Sequence, residues 1–200
     1  MIRLFVALGL PDALCQRLAA LQQPLPRTRW VAPENMHVTL RFIGEVSGGT
    51  AADIDGMLAR VSMPTFDLTI GGGDRFASKG RVRALWAGVG RSPELARLHG
   101  KIETACQRAG LAPEGRKFHP HVTLARCRDV REELVLPFLP TLGRIRDETF
   151  RVGEFVLYSS RLGRNGPLYT PEARYPLDGP GDPLADEERF AELAAEWADD

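Results

Sequence analysis

Two tetrapeptides hold the residues best suited to chemistry: His37-Val38-Thr39-Leu40 and, letter for letter, His121-Val122-Thr123-Leu124. The 200-residue chain contains four histidines, so half of them share one repeated context, which points to an internal duplication. Each tetrapeptide alternates polar with apolar residues, the pattern of a strand with one buried face. In such a strand His and Thr share a face, about 6 to 7 Å apart, while Val and Leu point into a core. Two such strands facing each other would bring two imidazoles and two hydroxyls into one small volume. That set suits in-line displacement at a phosphodiester without a metal. An imidazole near neutral pH can take a proton from the attacking water or give one to the leaving oxygen. The threonines can donate to the non-bridging phosphate oxygens, where negative charge is held.

The elements that must position these residues follow from periodicity and breakers. Residues 2 to 8 read as a strand, and Pro11 and Asp12 open a helix with Leu14, Leu18 and Leu21 at helical spacing, ended by Pro24 and Pro26. The first His/Thr strand closes at Gly44. Residues 50 to 61 predict a second helix and Phe66 to Ile70 a strand that runs into Gly71-Gly72-Gly73. That glycine run lacks the Lys and Ser or Thr of a P-loop, and no helix pattern follows it, so it reads as a turn or bulge. Val82 to Val89 predicts a strand with Trp86 in the core. Pro93 opens a third helix that runs to about Ala109 and stops at Gly110; His99 lies beside its apolar stripe as a structural residue. Residues 131 to 139 have no clear period. Phe150 to Tyr158 and Leu168 to Leu177 predict strands around a Gly163-Arg164-Asn165-Gly166 turn. This mixture of hairpins and helices favours an α+β fold over a doubly wound sheet.

Composition narrows the function classes. Apolar content of 44% is ordinary for a globular chain, no run of eighteen apolar residues is present, and the Ile2–Leu10 run, broken by Arg3, is no secretory leader. The chain therefore reads as cytoplasmic. Cys15, Cys106 and Cys127 show no Cys-x-x-Cys spacing, which indicates reduced structural thiols and neither a disulfide framework nor a thiolate zinc site. The zero net charge hides an asymmetry: residues 179 to 200 carry eight acidic side chains against Arg189, a net of −7, so residues 1 to 178 carry +7. A basic body suits a polyanionic ligand. Beyond Gly179 a Gly-Pro-Gly-Asp-Pro linker leads into an acidic segment with Phe190, Leu193, Ala194 and Trp197 at helical spacing, expected as a short C-terminal helix.

The opening Arg-Leu-Phe-Val-Ala-Leu, the run Arg29-Trp30-Val31-Ala32-Pro33-Glu34-Asn35-Met36-His37-Val38-Thr39-Leu40 with Phe42 to Val46 behind it, Phe118-His119-Pro120-His121-Val122-Thr123-Leu124-Ala125-Arg126, and the Tyr169–Leu177 stretch resemble the two-histidine (2H) phosphoesterase superfamily. Within it the chain is similar to the RNA 2′,3′-cyclic phosphodiesterases once named 2′-5′ RNA ligases. The resemblance implies a bilobal domain over residues 1 to 178, two pseudo-twofold-related lobes each with an antiparallel sheet and outer helices around a central cleft, followed by the acidic tail, 179 to 200. It places the catalytic histidines on His37 and His121 and the phosphate-binding residues on Thr39, Thr123 and Arg126, with no cofactor and no metal. Strict alternation from His121 would turn Arg126 to the opposite face, so its role requires a bulge or strand end near Ala125. The implied reaction opens a 2′,3′-cyclic phosphate at an RNA end or on a small nucleotide to a 2′-phosphomonoester, with His37 as acid and His121 as base. Weak reverse joining of RNA through a 2′-5′ linkage is also implied. The chain is expected to act as a monomer without a membrane.

Two other readings stand beside this one. His119, His121 and His37 could offer three imidazoles to zinc, although Pro120 disturbs the strand and Asn35 stands where a repeat of His119 would precede His37. A non-catalytic nucleotide binder is the other. Arg41 shares the face of His37 and Thr39 in a regular strand, where it would meet a phosphate or solvent. Phe5, Trp30 and Tyr169 are candidates to stack on a base or to pack in the core.

Overall fold

The computed structural model describes residues 1–163 and 166–178; the expected acidic helix after Gly179 lies outside them. Nine strands and four α-helices occur in the described residues. In chain order they are β1 (Ile2–Gly9), α1 (Asp12–Ala19), β2 (Thr28–Trp30), β3 (His37–Val46), α2 (Gly48–Leu58), β4 (Phe66–Ser78), β5 (Arg81–Val89), α3 (Pro93–Arg108), β6 (His121–Arg131), α4 (Leu139–Gly143), β7 (Glu148–Val152), β8 (Glu154–Gly163) and β9 (Gly166–Pro176). The sequence-based segments fall on these elements with three differences. Gly71–Gly73 lie inside the long β4, where Gly72 takes a positive φ of 57° and the register slips, so the glycine run is a bulge rather than an end. Phe150 to Tyr158 divides at Gly153 into β7 and β8, which pair with different neighbours. The short β2 carries too few residues to show a period.

All pairings are antiparallel, as an α+β fold requires, and the sheet order is β7-β4-β5-β6-β3-β1-β8-β9, with β2 added on β6. Read inward from either edge, the order divides into two four-strand halves that end on β6 and on β3. The expected two lobes are these halves, joined in one curled sheet where Val38 pairs with Val122. The pairing also exchanges strands between the repeats: β4, which follows the first motif, pairs with β5 beside the second motif, and β8 returns to pair with β1 beside the first.

One face of the sheet is sealed by helices. Leu95, Leu98, Ile102 and Cys106 of α3 are buried, and α3 packs on both β3 and α2. Pro93 stands in the first turn of α3 and Gly110 past its end at φ 88°, as the sequence signals predict, and Ser92 caps the helix by accepting from the Leu95 N–H. Strand β1 is buried on both faces from Leu4 to Leu8, which explains its unbroken apolar run. The three cysteines are buried and unpaired.

Candidate active site

Strands β3 and β6 carry the two tetrapeptides at corresponding places in the two halves. Val38, Leu40, Val122 and Leu124 are buried, while His37, Thr39, His121 and Thr123 stand on the opposite, partly open face. Each histidine lies across from a glycine of the neighbouring strand, Gly9 for His37 and Gly88 for His121. Each strand then slips by one residue at the same place. On β3 the extra residue is Leu40, between the Thr39–Ala7 and Arg41–Val6 pairs; on β6 it is Leu124, between Thr123–Trp86 and Ala125–Leu85. A bulge reverses alternation. Beyond it, Arg41 and Ala125 turn inward and Phe42 and Arg126 turn toward the face of the histidines. The bulge that Arg126 requires is therefore present.

Arg41 departs from its expected place for the same reason. It meets neither phosphate nor solvent and is only 7% exposed. Its Nε sits 2.7 Å from Glu103, its Nη1 donates to Glu114 at 2.9 Å, and its Nη2 donates to the Ala112 carbonyl at 2.6 Å. The buried guanidinium thus ties the strand of the first histidine to the loop that leads into the second.

Both imidazoles are fixed in the same way. His37 Nδ1 lies 2.8 Å from the Asn35 carbonyl and His121 Nδ1 lies 2.7 Å from the His119 carbonyl. A carbonyl only accepts, so Nδ1 carries a hydrogen in each ring and Nε2 is left as the titrating atom toward the cleft. Aromatic walls hold the rings. Phe5 and Tyr169 lie 5.0 and 5.4 Å from His37, and Phe76 lies edge-on 4.8 Å from His121. Burial pushes the His37 pKa down to about 4; the Asn35 carbonyl acts against this, while the charges of Arg126 and His121 add to it. Burial is also the main cause that lowers His121, with the His119 carbonyl opposing and the charges of His119 and Arg126 assisting.

The two strands open into a cleft of about 300 Å³ lined by His37, Thr39, His121, Thr123 and Arg126, so all five sequence-predicted residues meet in one volume. Arg29, Trp30, Asn35, Phe42, Phe76 and Tyr169 complete much of its wall. Trp30 and Tyr169 are thus available to a ligand. Phe5 is not: at 3% exposed it stacks on Tyr158 and backs the His37 ring. Phe42, 54% exposed, was hidden from sequence reasoning by the assumption of a regular strand. The one available signal is its equivalence to Arg126, five residues past its histidine. His99 stacks on Phe118 away from the cleft, as a structural residue. For the zinc reading, the His119 ring sits against Phe76 and Trp86, and no group of three His, Cys, Asp or Glu able to hold a metal occurs among the described residues. No helix among them is long and apolar enough to cross a membrane.

Residues 10–164 match the sequence model of the 2′-5′ RNA ligase superfamily. A protein of Aeropyrum pernix named RNA 2′,3′-cyclic phosphodiesterase is 37% identical over 159 residues, which cover 76% of this chain and 90% of that protein. A protein of the same name from Escherichia coli is 32% identical, covering 88% of this chain and 96% of its own length. The crystal structure of E. coli LigT in complex with 3′-AMP superposes with a TM-score of 0.72 at 30% identity, covering 88% of this chain and 98% of that one.

Proposed function

Since the chain belongs to the 2′-5′ RNA ligase superfamily, the 2H phosphoesterases, we propose that it is an RNA 2′,3′-cyclic phosphodiesterase that yields 2′-phosphomonoesters without a metal. One observation carries this reading: two imidazoles with the same Nδ1 lock, two threonines and a guanidinium line a single cleft.

With the cyclic phosphate between the rings, water attacks phosphorus opposite the 3′ oxygen. One neutral Nε2 takes the water proton, the P–O3′ bond breaks, and the other ring gives its Nε2 proton to the departing 3′ oxygen. Phosphate stays on the 2′ oxygen, and the two rings exchange protonation states before resetting through solvent. Thr39, Thr123 and Arg126 hold the non-bridging oxygens. Burial depresses both histidines, and the anionic substrate opposes this by favouring a charged ring, which takes up its working proton from solvent. His37 is the acid and His121 the base, as the resemblance implies; the substrate must then lift His37 from about 4. A nitrophenyl ester of a nucleoside 2′-phosphate, whose leaving group needs no proton, is expected to rescue His37→Ala and not His121→Ala.

Joining through a 2′-5′ linkage follows the same path without ATP, with the 5′-hydroxyl of a second RNA end taking the place of the attacking water. The protein acts as a monomer, because the duplication supplies both halves of the site in one chain, and in the cytoplasm, in keeping with three unpaired buried thiols. The test is a short RNA with a 2′,3′-cyclic end incubated with protein and EDTA, with products read by phosphorus NMR. A 2′-phosphate that disappears in both His37→Ala and His121→Ala is the expected result. Turnover that requires added zinc, or nucleotide binding without turnover, overturns it.

A further inference from the structure

Arg29 lines the cleft and takes no part in the chemistry above. It stands on β2 directly across from Arg126 on β6, so the two side chains leave the sheet on the same face from Cβ positions about 5 Å apart. Like charges so placed repel, and among the described residues neither guanidinium has an ion-pair partner. The surroundings nevertheless fix the strand that presents Arg29. Strand β2 is three residues long and is pinned at both ends, by the Val31 N–H donating to the Leu124 carbonyl at 2.8 Å and the Arg128 N–H donating to the Arg27 carbonyl at 3.0 Å. Trp30 anchors it further, donating its indole N–H to the Gln23 carbonyl at 2.8 Å with its ring edge-on to Phe138. On the other side the guanidinium lies over Gly166 at φ 132°, where any Cβ would collide with it. The charge of Arg126 weighs on both histidines, whereas that of Arg29 is not among the charges that do. Two neighbouring guanidiniums without an ion-pair partner among the described residues, one on the histidine strand and one on the strand beside it against Gly166, match two successive anionic groups rather than one.

We infer that Arg29 binds a second phosphate of the same RNA, the phosphodiester that joins the terminal nucleotide to the one before it, and thereby selects oligonucleotide ends over mononucleotide 2′,3′-cyclic phosphates. The identity of the substrate rests on the phosphodiesterase reading. Arg29 is a specificity-determining residue in this scheme, since a mononucleoside cyclic phosphate has no second phosphate for it to hold.

The experiment compares wild type, Arg29→Gln and Arg29→Lys on adenosine 2′,3′-cyclic phosphate and on a trinucleotide with the same cyclic end. Arg29→Gln should raise KM for the trinucleotide about tenfold at low salt and leave the mononucleotide unchanged, with Arg29→Lys largely restoring the loss. The slope of log kcat/KM against log salt for the trinucleotide should flatten by about 0.7, the value of one lost phosphate contact on a single strand. Equal losses on both substrates would place Arg29 at the reacting phosphate and overturn the inference, as would no loss on either. Direct binding of the two 2′-phosphate products reads the same contact independently. A wild type inactive on both substrates fails the phosphodiesterase reading, while the binding ratio still decides the role of Arg29.

Discussion

Set side by side, the half that carries His37 and the half that carries His121 have one backbone plan and different outer chemistry. Both have a histidine across from a glycine, a carbonyl on Nδ1, a threonine two residues on and a bulge at the following leucine. The bulge then delivers Phe42 to the cleft in one half and Arg126 in the other, and sends Arg41 or Ala125 to the interior. The duplication thus keeps an imidazole and a threonine hydroxyl on both sides of the cleft and divides the next position into an apolar and a charged one. A phosphate flanked by a nucleoside on one side and by water on the other has the same asymmetry. In the proposed reaction, what is repeated serves the symmetric part and what has diverged serves the rest.

The sharpest break in this comparison removes the two imidazoles. His37→Ala and His121→Ala should each lower kcat/KM roughly a thousandfold, and the double variant should be little worse than either, because acid and base act as a unit. Independent, additive losses in rapid-quench assays would mean that the halves do not share one reaction. Next in size is the interior pair. Arg41→Ala gives the first half the alanine that the second half has naturally, but it strands Glu103 and Glu114, and a loss of about 3 kcal/mol in urea unfolding is expected. Ala125→Gly, at the equivalent place, leaves no charge unpaired and should cost much less.

Exchanging the outer residues sharpens the comparison further. Arg126→Phe should lower kcat/KM roughly thirtyfold and Phe42→Arg by about tenfold or less, the first through phosphate and the second through lost base stacking. The double exchange should not restore activity; recovery in steady-state assays would show that the two sides are interchangeable. The smallest effect is on stability against pH. A histidine whose folded pKa lies below its unfolded value binds fewer protons when folded, so the stability it confers above the unfolded pKa near 6.5 is lost as pH falls toward the folded value, about 4 for His37. From pH 6.5 to 5.5 this amounts to about 1 kcal/mol, and urea titrations should find more of that slope removed by His37→Asn than by His121→Asn.

Much of the positioning is legible in the sequence. The repeated alternation identifies two half-buried strands, and the proline and glycine signals around α1 and α3 place helices close to where they lie. Two kinds of information were out of reach. A one-residue bulge leaves no mark on composition or period, so the inward turn of Arg41 and the outward turn of Phe42 appear only in the register. Strand exchange is also silent, because β4 and β8 read equally well as neighbours of the strands that precede them; Phe76 and Tyr158, which reach the two histidines from these strands, could not be assigned to the site.

That exchange bears on how the chain reaches its native state. Strand β8 completes the side of the sheet begun by β1 some 150 residues earlier, and β4 can be covered only after β5 and β7 have been made. Neither repeat can close its own hydrophobic layer, so expressing residues of one repeat alone would leave an unfinished edge and no autonomous fold. Contacts of such long sequence separation also slow the search, which puts refolding in the millisecond to second range of sheet-rich topologies rather than the microseconds of local helical ones. An ancestral duplication whose halves have become interdigitated in this way can no longer be undone by deletion: the enzyme assembles whole or not at all.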